Sequence, residues 1–216
     1  MSTTKRGIFI TFEGPEGSGK STQLRRLAQR LRDEGYKILE TAEPGGTQIG
    51  TQIRRVLLDG KNQEMFPTTE LLLMFAARAQ NVEEWILPAL SRGDIVLSDR
   101  FTDSSLVYQG AARGLGADVV YEIDRIACRG LVPNLTLLID IDTEAGLARA
   151  HGRNREKQHS ETRIDEQAVE FHRRVRDAYL RLATDEPDRV KVIDGSRSED
   201  EVAHNVWLTI QPLLTD

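Results

Sequence analysis

Between an apolar run and a leucine-spaced helical segment, the chain reads Gly14-Pro15-Glu16-Gly17-Ser18-Gly19-Lys20-Ser21-Thr22, a G-x-x-x-x-G-K-S phosphate-binding loop. Such a loop needs a strand to enter it and a helix to leave it. Both flanks comply: Gly7-Ile8-Phe9-Ile10-Thr11-Phe12 reads as a buried strand, and Leu24, Leu27 and Leu31 recur at helical spacing. The glycines let the backbone curl so that successive N–H groups point at phosphate oxygens, and the helix N-terminus adds its positive end. Lys20 is expected to reach the terminal phosphates and Ser21 to hold Mg²⁺.

The remainder alternates strands and helices, the α/β signature. Strands are predicted at 7–13, 36–41, 94–98, 135–141 and 190–194. Ile95-Val96-Leu97 and Leu135-Thr136-Leu137-Leu138-Ile139 are continuous apolar runs of the kind covered on both faces. Helices are predicted at 20–34, 48–58, 68–91, 104–111, 117–129, 143–151, 165–184 and 198–213, with Pro88 bending or splitting the third. Thr143 and Glu144 open one helix, and Ser198 with Glu201 forms a capping box for the last.

At 216 residues, with 39% hydrophobic and 29% charged residues, the chain reads as one soluble domain over 1–216. A net charge of -5 argues against a general nucleic-acid partner. The single cysteine, Cys128, rules out an intramolecular disulfide and fits a reducing cytosol. No segment approaches the roughly 18 apolar residues of a membrane span. The first apolar run turns straight into the phosphate loop and is no signal peptide, so a cytoplasmic protein without a membrane partner is expected.

The segment 151–163, from His151 to Arg163, carries no apolar residue and is read as a loop between two helices. Its arginines, Arg153, Arg155 and Arg163, suit a lid that closes over phosphates. Other candidates stand at strand ends, where a parallel sheet presents its ligand crevice. Glu43, in Glu43-Pro44-Gly45-Gly46-Thr47, could bind Mg²⁺ or its waters; Asp99 could take a Walker B role, and Arg100 could clamp an acceptor phosphate. Ser105 and Gln109, four apart, offer groups for the edge of a base. In Met74-Phe75-Ala76-Ala77-Arg78, helical spacing brings either Met74 or Phe75 near Arg78, giving a stacking surface beside a donor.

Together the motifs at 14–22, 43–47, 75–78, 99–101, 103–110 (Asp103-Ser104-Ser105-Leu106-Val107-Tyr108-Gln109-Gly110) and 133–136 resemble a bacterial thymidylate kinase of the nucleoside-monophosphate kinase superfamily, over nearly the full length. The resemblance implies a three-layer P-loop fold with a five-stranded parallel sheet, a short basic lid at about 151–164, and a homodimer. It implies transfer of a phosphoryl group from ATP to thymidine monophosphate, with Mg²⁺. The residues Gly14, Pro15, Glu16, Gly17, Ser18, Gly19, Lys20, Ser21 and Thr22 would hold ATP, with Ser21 and Asp99 at the metal and Glu43 nearby. Arg54 and Arg100 would grip the monophosphate, and Arg78, Ser105 and Gln109 would read thymine, with Ser104 and Tyr108 alongside and Met74 or Phe75 stacking.

The family has two patterns, one with a catalytic arginine in the phosphate loop and one relying on lid arginines. With Glu16 in the loop, the chain resembles the second. Glu16 is then expected to point toward the lid and pair with an arginine there. Arg153 leads the catalytic candidates, ahead of Arg149, Arg155 and Arg163. Ala42 precedes Glu43 where relatives often carry arginine. The competing functions are a deoxynucleoside kinase, which needs a carboxylate base for its hydroxyl acceptor, and a non-catalytic ATP-binding switch.

Overall fold

The computed structural model describes residues 7–215, except 158–160, and the side chains of 7–152 and 161–214. Its elements, in chain order, are β1 (Ile8–Glu13), α1 (Lys20–Asp33), β2 (Ile38–Ala42), α2 (Gln48–Leu58), α3 (Pro67–Asn81), a π-helical stretch (Val82–Ile86) and α4 (Leu87–Ser91). They continue with β3 (Ile95–Asp99), α5 (Thr102–Ser105), a second π-helical stretch (Leu106–Ala112), α6 (Ala117–Ala127) and β4 (Leu135–Asp140). The last are α7 (Thr143–Lys157), α8 (Val169–Asp185), β5 (Val190–Asp194) and α9 (Glu199–Thr215). The five strands form one parallel sheet in the order β2-β3-β1-β4-β5.

The period-two alternation of the central strands sorts side chains between two cores. Ile10, Phe12, Ile95, Leu97, Leu135, Leu137 and Ile139 pack with Leu24, Leu27 and Leu31 of α1 and Val202, Val206 and Ile210 of α9. On the opposite face Phe9 and Val96 meet Leu71 and Phe75 of α3 and Val120 of α6, while Leu138 meets Phe171, Val175 and Tyr179 of α8. Helices on both faces make the three-layer architecture expected from the sequence.

Two local features depart from the sequence reading, and a third follows it. Pro88 does not split its helix. It lacks the N–H of the regular ladder, and the π-helical stretch Val82–Ile86 immediately before it absorbs the mismatch, so the helix runs on into Leu87–Ser91. The segment after His151 is not loop throughout, because α7 continues to Lys157. That helix starts on the carboxylate of Asp142, which accepts from the Glu144 and Ala145 amides. The capping box on α9 is present: Ser198 N–H donates to Glu201 (3.0 Å) and Glu201 N–H to Ser198 Oγ (3.3 Å).

Candidate functional site

A cavity of about 800 Å³ opens at the carboxyl ends of β1, β2 and β3. The strands position its residues directly. Phe12 of β1 and Ala42 of β2 both lie opposite Asp99 of β3, and the ladder continues one residue further. Arg100 N–H donates to Phe12 O (3.0 Å) and Glu43 N–H to Asp99 O (2.9 Å). Three adjacent strand ends thus deliver the phosphate loop, Glu43, and Asp99-Arg100 to one rim.

The loop is held open by small contacts. Gly17 has φ 69°, and a Cβ there would stand 2.0 Å from the carbonyl of Gly146 in α7, so only glycine fits where α7 crosses the loop. The N-terminus of α1 that follows has no side-chain cap and no acidic residue in its first turn, leaving its positive end to the cavity. Lys20 Nζ donates to the carbonyls of Gly14 (3.0 Å) and Pro15 (2.8 Å). Burial and the neighbouring Arg100 charge bring its pKa down to about 8, against the opposing pull of Asp99, Glu16 and Glu13. Ser21 Oγ donates to the Asp99 carboxylate.

Arg100 is the second hub. Its backbone sits in the left-handed region (φ 75°), an uncommon conformation for an arginine and one that functional sites tend to hold. Its Nη1 donates to Ser104 Oγ and Tyr179 Oη, both at 3.1 Å; its Nη2 donates to Tyr108 Oη (3.1 Å) and Glu16 (3.3 Å). Beneath it, buried Glu13 accepts from Phe101 N–H (2.7 Å), Ser104 Oγ (2.6 Å) and Tyr179 Oη (2.7 Å). Burial and the nearby Asp103 push the Glu13 carboxyl up to about 7, although Arg100, Ser104 and Tyr179 pull it down.

At the far side, Arg78 is 2% exposed and lies on Phe75, its guanidinium 4.5 Å from the ring centre. Its Nε donates to Glu43 (2.5 Å) and its Nη2 to Phe101 O (2.9 Å), whereas its buried Nη1 has no partner among the described residues. Burial opposes its charge, but Glu43, through its charge and its hydrogen bond, together with Asp124 and Cys128 raises the guanidinium pKa above its ordinary value. Gln109 donates through Nε2 to Glu70 (2.8 Å), which leaves its carbonyl oxygen for a donor.

Measured against expectation, Glu16, Gly17, Gly19, Lys20, Ser21, Thr22, Glu43, Arg54, Met74, Arg78, Asp99, Arg100, Ser104, Ser105, Tyr108 and Gln109 all line this one cavity. Several details differ. Phe75 is core, packed behind Arg78, and Met74 is the residue of that pair that faces the cavity. Glu43 is committed to Arg78 and to Asn81, which donates from Nδ2 at 3.1 Å; it does not join Ser21 and Asp99. Arg54 donates to Glu161 (2.9 Å) and to Pro44 O (2.9 Å).

The described partners of Glu16 lie outside the lid segment. Glu16 is 8% exposed and accepts from Tyr108 Oη (2.6 Å), Arg100 Nη2 and His172 Nδ1 (3.1 Å). Burial would raise its pKa; the His172 hydrogen bond and the charges of Arg100 and Lys20 outweigh that and bring it down to about 2. Arg163 is not among the residues that line the cavity. It is 1% exposed, with Nε on Leu57 O (2.5 Å) and Nη2 against Glu70 (2.7 Å). Arg149 donates to Gly195 O (3.4 Å). The side chains of Arg153 and Arg155 lie outside the described residues.

Sequence reasoning missed Glu13, His172 and Tyr179. A signal existed: Phe171, His172, Val175, Ala178 and Tyr179 form the buried face of α8, and two polar groups within an apolar stripe invite the question of what they bond.

Ser21 and Asp99 form a hard-oxygen pair beside the phosphate loop, which fits Mg²⁺. Among the described residues no three His, Cys, Asp or Glu side chains converge as a cage. No helix among them is long and apolar enough to cross a membrane.

Comparison with known proteins adds the following. A family model described as thymidylate kinase matches residues 12–206. A thymidylate kinase from Pelobacter propionicus is 49% identical over 201 residues, 93% of this chain and 92% of the relative. One from Geotalea uraniireducens is 50% identical over 196 residues, 90% and 92% of the two chains. The crystal structure of thymidylate kinase from Ehrlichia chaffeensis superposes with a TM-score of 0.76 at 30% identity, covering 95% of this chain and 99% of that one.

Proposed function

The chain belongs to the thymidylate kinase family, and from that premise we propose how its cavity divides the work. It is an enzyme that phosphorylates thymidine monophosphate at the expense of ATP. The observation that carries the division of roles is that a single cavity is lined both by the phosphate loop and by a second set of groups suited to a nucleoside monophosphate.

The γ-phosphoryl group passes from ATP to a phosphate oxygen of thymidine monophosphate, and ADP leaves. The acceptor oxygen is already ionised, so no strong base is required, and catalysis rests on positioning and charge. Lys20, leaving the Gly14 and Pro15 carbonyls, meets the transferring phosphates. Mg²⁺, which Ser21 and Asp99 would hold, supplies neutralisation of phosphate charge when bound. Arg100, held on four oxygens, presents a rigid fork to the acceptor phosphate; Arg54 exchanges Glu161 for it. Arg78 Nη1 donates to a thymine carbonyl and the Gln109 carbonyl accepts the ring N–H. Met74 covers the base, and Glu43 serves as the partner that keeps Arg78 charged. Lid arginines, Arg153 first, bring further positive charge on closure.

We also read the protein as a cytoplasmic homodimer. Ile49 and Val56 on α2, Leu72 on α3, and Trp85 in the π-helical stretch are each 45–52% exposed, and α2 packs against α3, so a wide apolar face is left for a twin subunit.

A coupled assay with thymidine monophosphate, thymidine, or no acceptor tests the reading. Turnover with the monophosphate alone is expected. Equal turnover with thymidine would favour the nucleoside kinase, and acceptor-independent hydrolysis the switch.

A further inference from the structure

We propose that His172 is a positioning residue for the acceptor phosphate: its Nδ1–H fixes the phosphate-loop carboxylate of Glu16, and that carboxylate aims Arg100. The inference rests on the reading of Arg100 as the acceptor clamp.

The two oxygens of Glu16 have separate tasks. Oε1 accepts from Tyr108 Oη at 2.6 Å and from Arg100 Nη2 at 3.3 Å; Oε2 accepts from His172 Nδ1 at 3.1 Å. With Oε2 held, the plane of the carboxylate is set, and Oε1 is turned onto the guanidinium. An ionised carboxylate is an acceptor only, so the Nδ1 that faces it must carry a proton. The remaining nitrogen is Nε2. It is buried and has no partner among the described residues, and His172 as a whole is 1% exposed.

That orphan distinguishes the arrangement from ordinary packing. An unpartnered buried polar atom costs stability, and a core position facing Phe171 would be better filled by an apolar side chain. What histidine supplies there, and leucine does not, is one hydrogen bond to Glu16. The location matters too: His172 lies in the first turn of α8, the helix that follows the lid segment, so one side chain joins that helix, the ATP loop and the acceptor clamp.

Three variants separate a positioning role from packing. Asparagine can place an amide N–H where Nδ1 stands, whereas glutamine reaches the more distant Nε2 position and leucine offers no donor. In steady-state assays His172→Leu and His172→Gln are expected to raise KM for thymidine monophosphate about tenfold or more, the scale of one lost charge-assisted hydrogen bond, with KM for ATP little changed. His172→Asn is expected to restore KM toward wild type even if thermal melts show that it loses as much packing as the others. Arg100→Lys is run alongside. If Arg100→Lys leaves KM for the acceptor unchanged, the clamp reading falls and this inference falls with it. If Arg100→Lys raises KM while the leucine and glutamine variants do not, or if asparagine fails to restore it, the His172 inference alone is overturned. Should the leucine variant fail to fold, the asparagine–glutamine comparison still decides.

Discussion

Replacing Arg78 by methionine tests the thymine end of the cavity in two independent ways. The Arg78–Glu43 pair is buried on both sides, with side chains 2% and 3% exposed and a separation of 2.5 Å. Removing one partner leaves a carboxylate in the core with only Asn81 to bond it, and breaking a buried pair in this manner costs about 3–5 kcal/mol. For a domain of this size about 2–4 °C of melting temperature is lost per kcal/mol, so Arg78→Met should melt about 6–20 °C lower. Adding Glu43→Gln removes the stranded charge while keeping an oxygen for Asn81, and the double variant should recover most of that loss. Function should not recover with it, because the unpartnered Nη1 donor is absent in both. The assay is therefore a thermal melt paired with KM for thymidine monophosphate: stability lost and regained, affinity lost and not regained. An Arg78→Met variant that melts no lower than the double variant would refute the buried-pair energetics. A double variant with wild-type KM would remove Arg78 from base recognition.

Lys20→Ala should lower kcat/KM by the equivalent of about 2.7–4 kcal/mol, the scale of one preorganised electrostatic contact, with near-wild-type melting. In the wild type, kcat/KM for ATP should fall as pH rises above about 8, where Lys20 loses its proton in the free enzyme. Its folded pKa lies below the ordinary lysine value of 10.5, so the stability contribution of this group moves the other way and grows between about 8 and 10.5; an activity profile flat to pH 10 would contradict the assignment. Arg153→Ala should lower kcat at least about tenfold, roughly 1.4 kcal/mol, with KM values little moved, and wild-type kcat in both Arg153→Ala and Arg155→Ala would end the lid reading. Light scattering should give twice 24.3 kDa, and Leu72→Glu should shift it to the monomer; a wild-type mass of 24.3 kDa at micromolar concentration would argue against the dimer.

The strands were legible because burial on both faces leaves apolar runs no alternative; Ile95–Asp99 and Leu135–Asp140 both lie within a residue of where the pattern puts them. The π-helical stretches were not, since they have no composition of their own and arise where a regular helix must accommodate a proline or a cavity wall. Within the site, residues at strand ends were legible because topology alone brings them together. The choice between Met74 and Phe75 needed the rotation of α3 about its axis, which neighbours decide: Phe75 falls onto Phe9, Val96 and the Arg78 guanidinium, and that turns Met74 to the cavity.

Glu16 shows the limit most clearly and changes what the lid must do. The sequence places a carboxylate beside Lys20 but cannot say where it turns, because its donors lie 84, 92 and 156 residues away. They come from the β3 end, the second π-helical stretch and α8, and only the folded chain brings all three to one point. Burial opposes ionisation, but the His172 hydrogen bond and the charges of Arg100 and Lys20 outweigh it, so an ionised Glu16 is spent on Arg100, Tyr108 and His172. A carboxylate so occupied has little left to offer an incoming arginine. A lid arginine arriving over the phosphate loop would therefore meet phosphate oxygens, not a protein counter-charge, and its attraction would depend on bound nucleotide. The lid charge is thus available to the transferring group where an outward Glu16 would have neutralised part of it, and this strengthens the expectation that Arg153→Ala acts on kcat more than on binding.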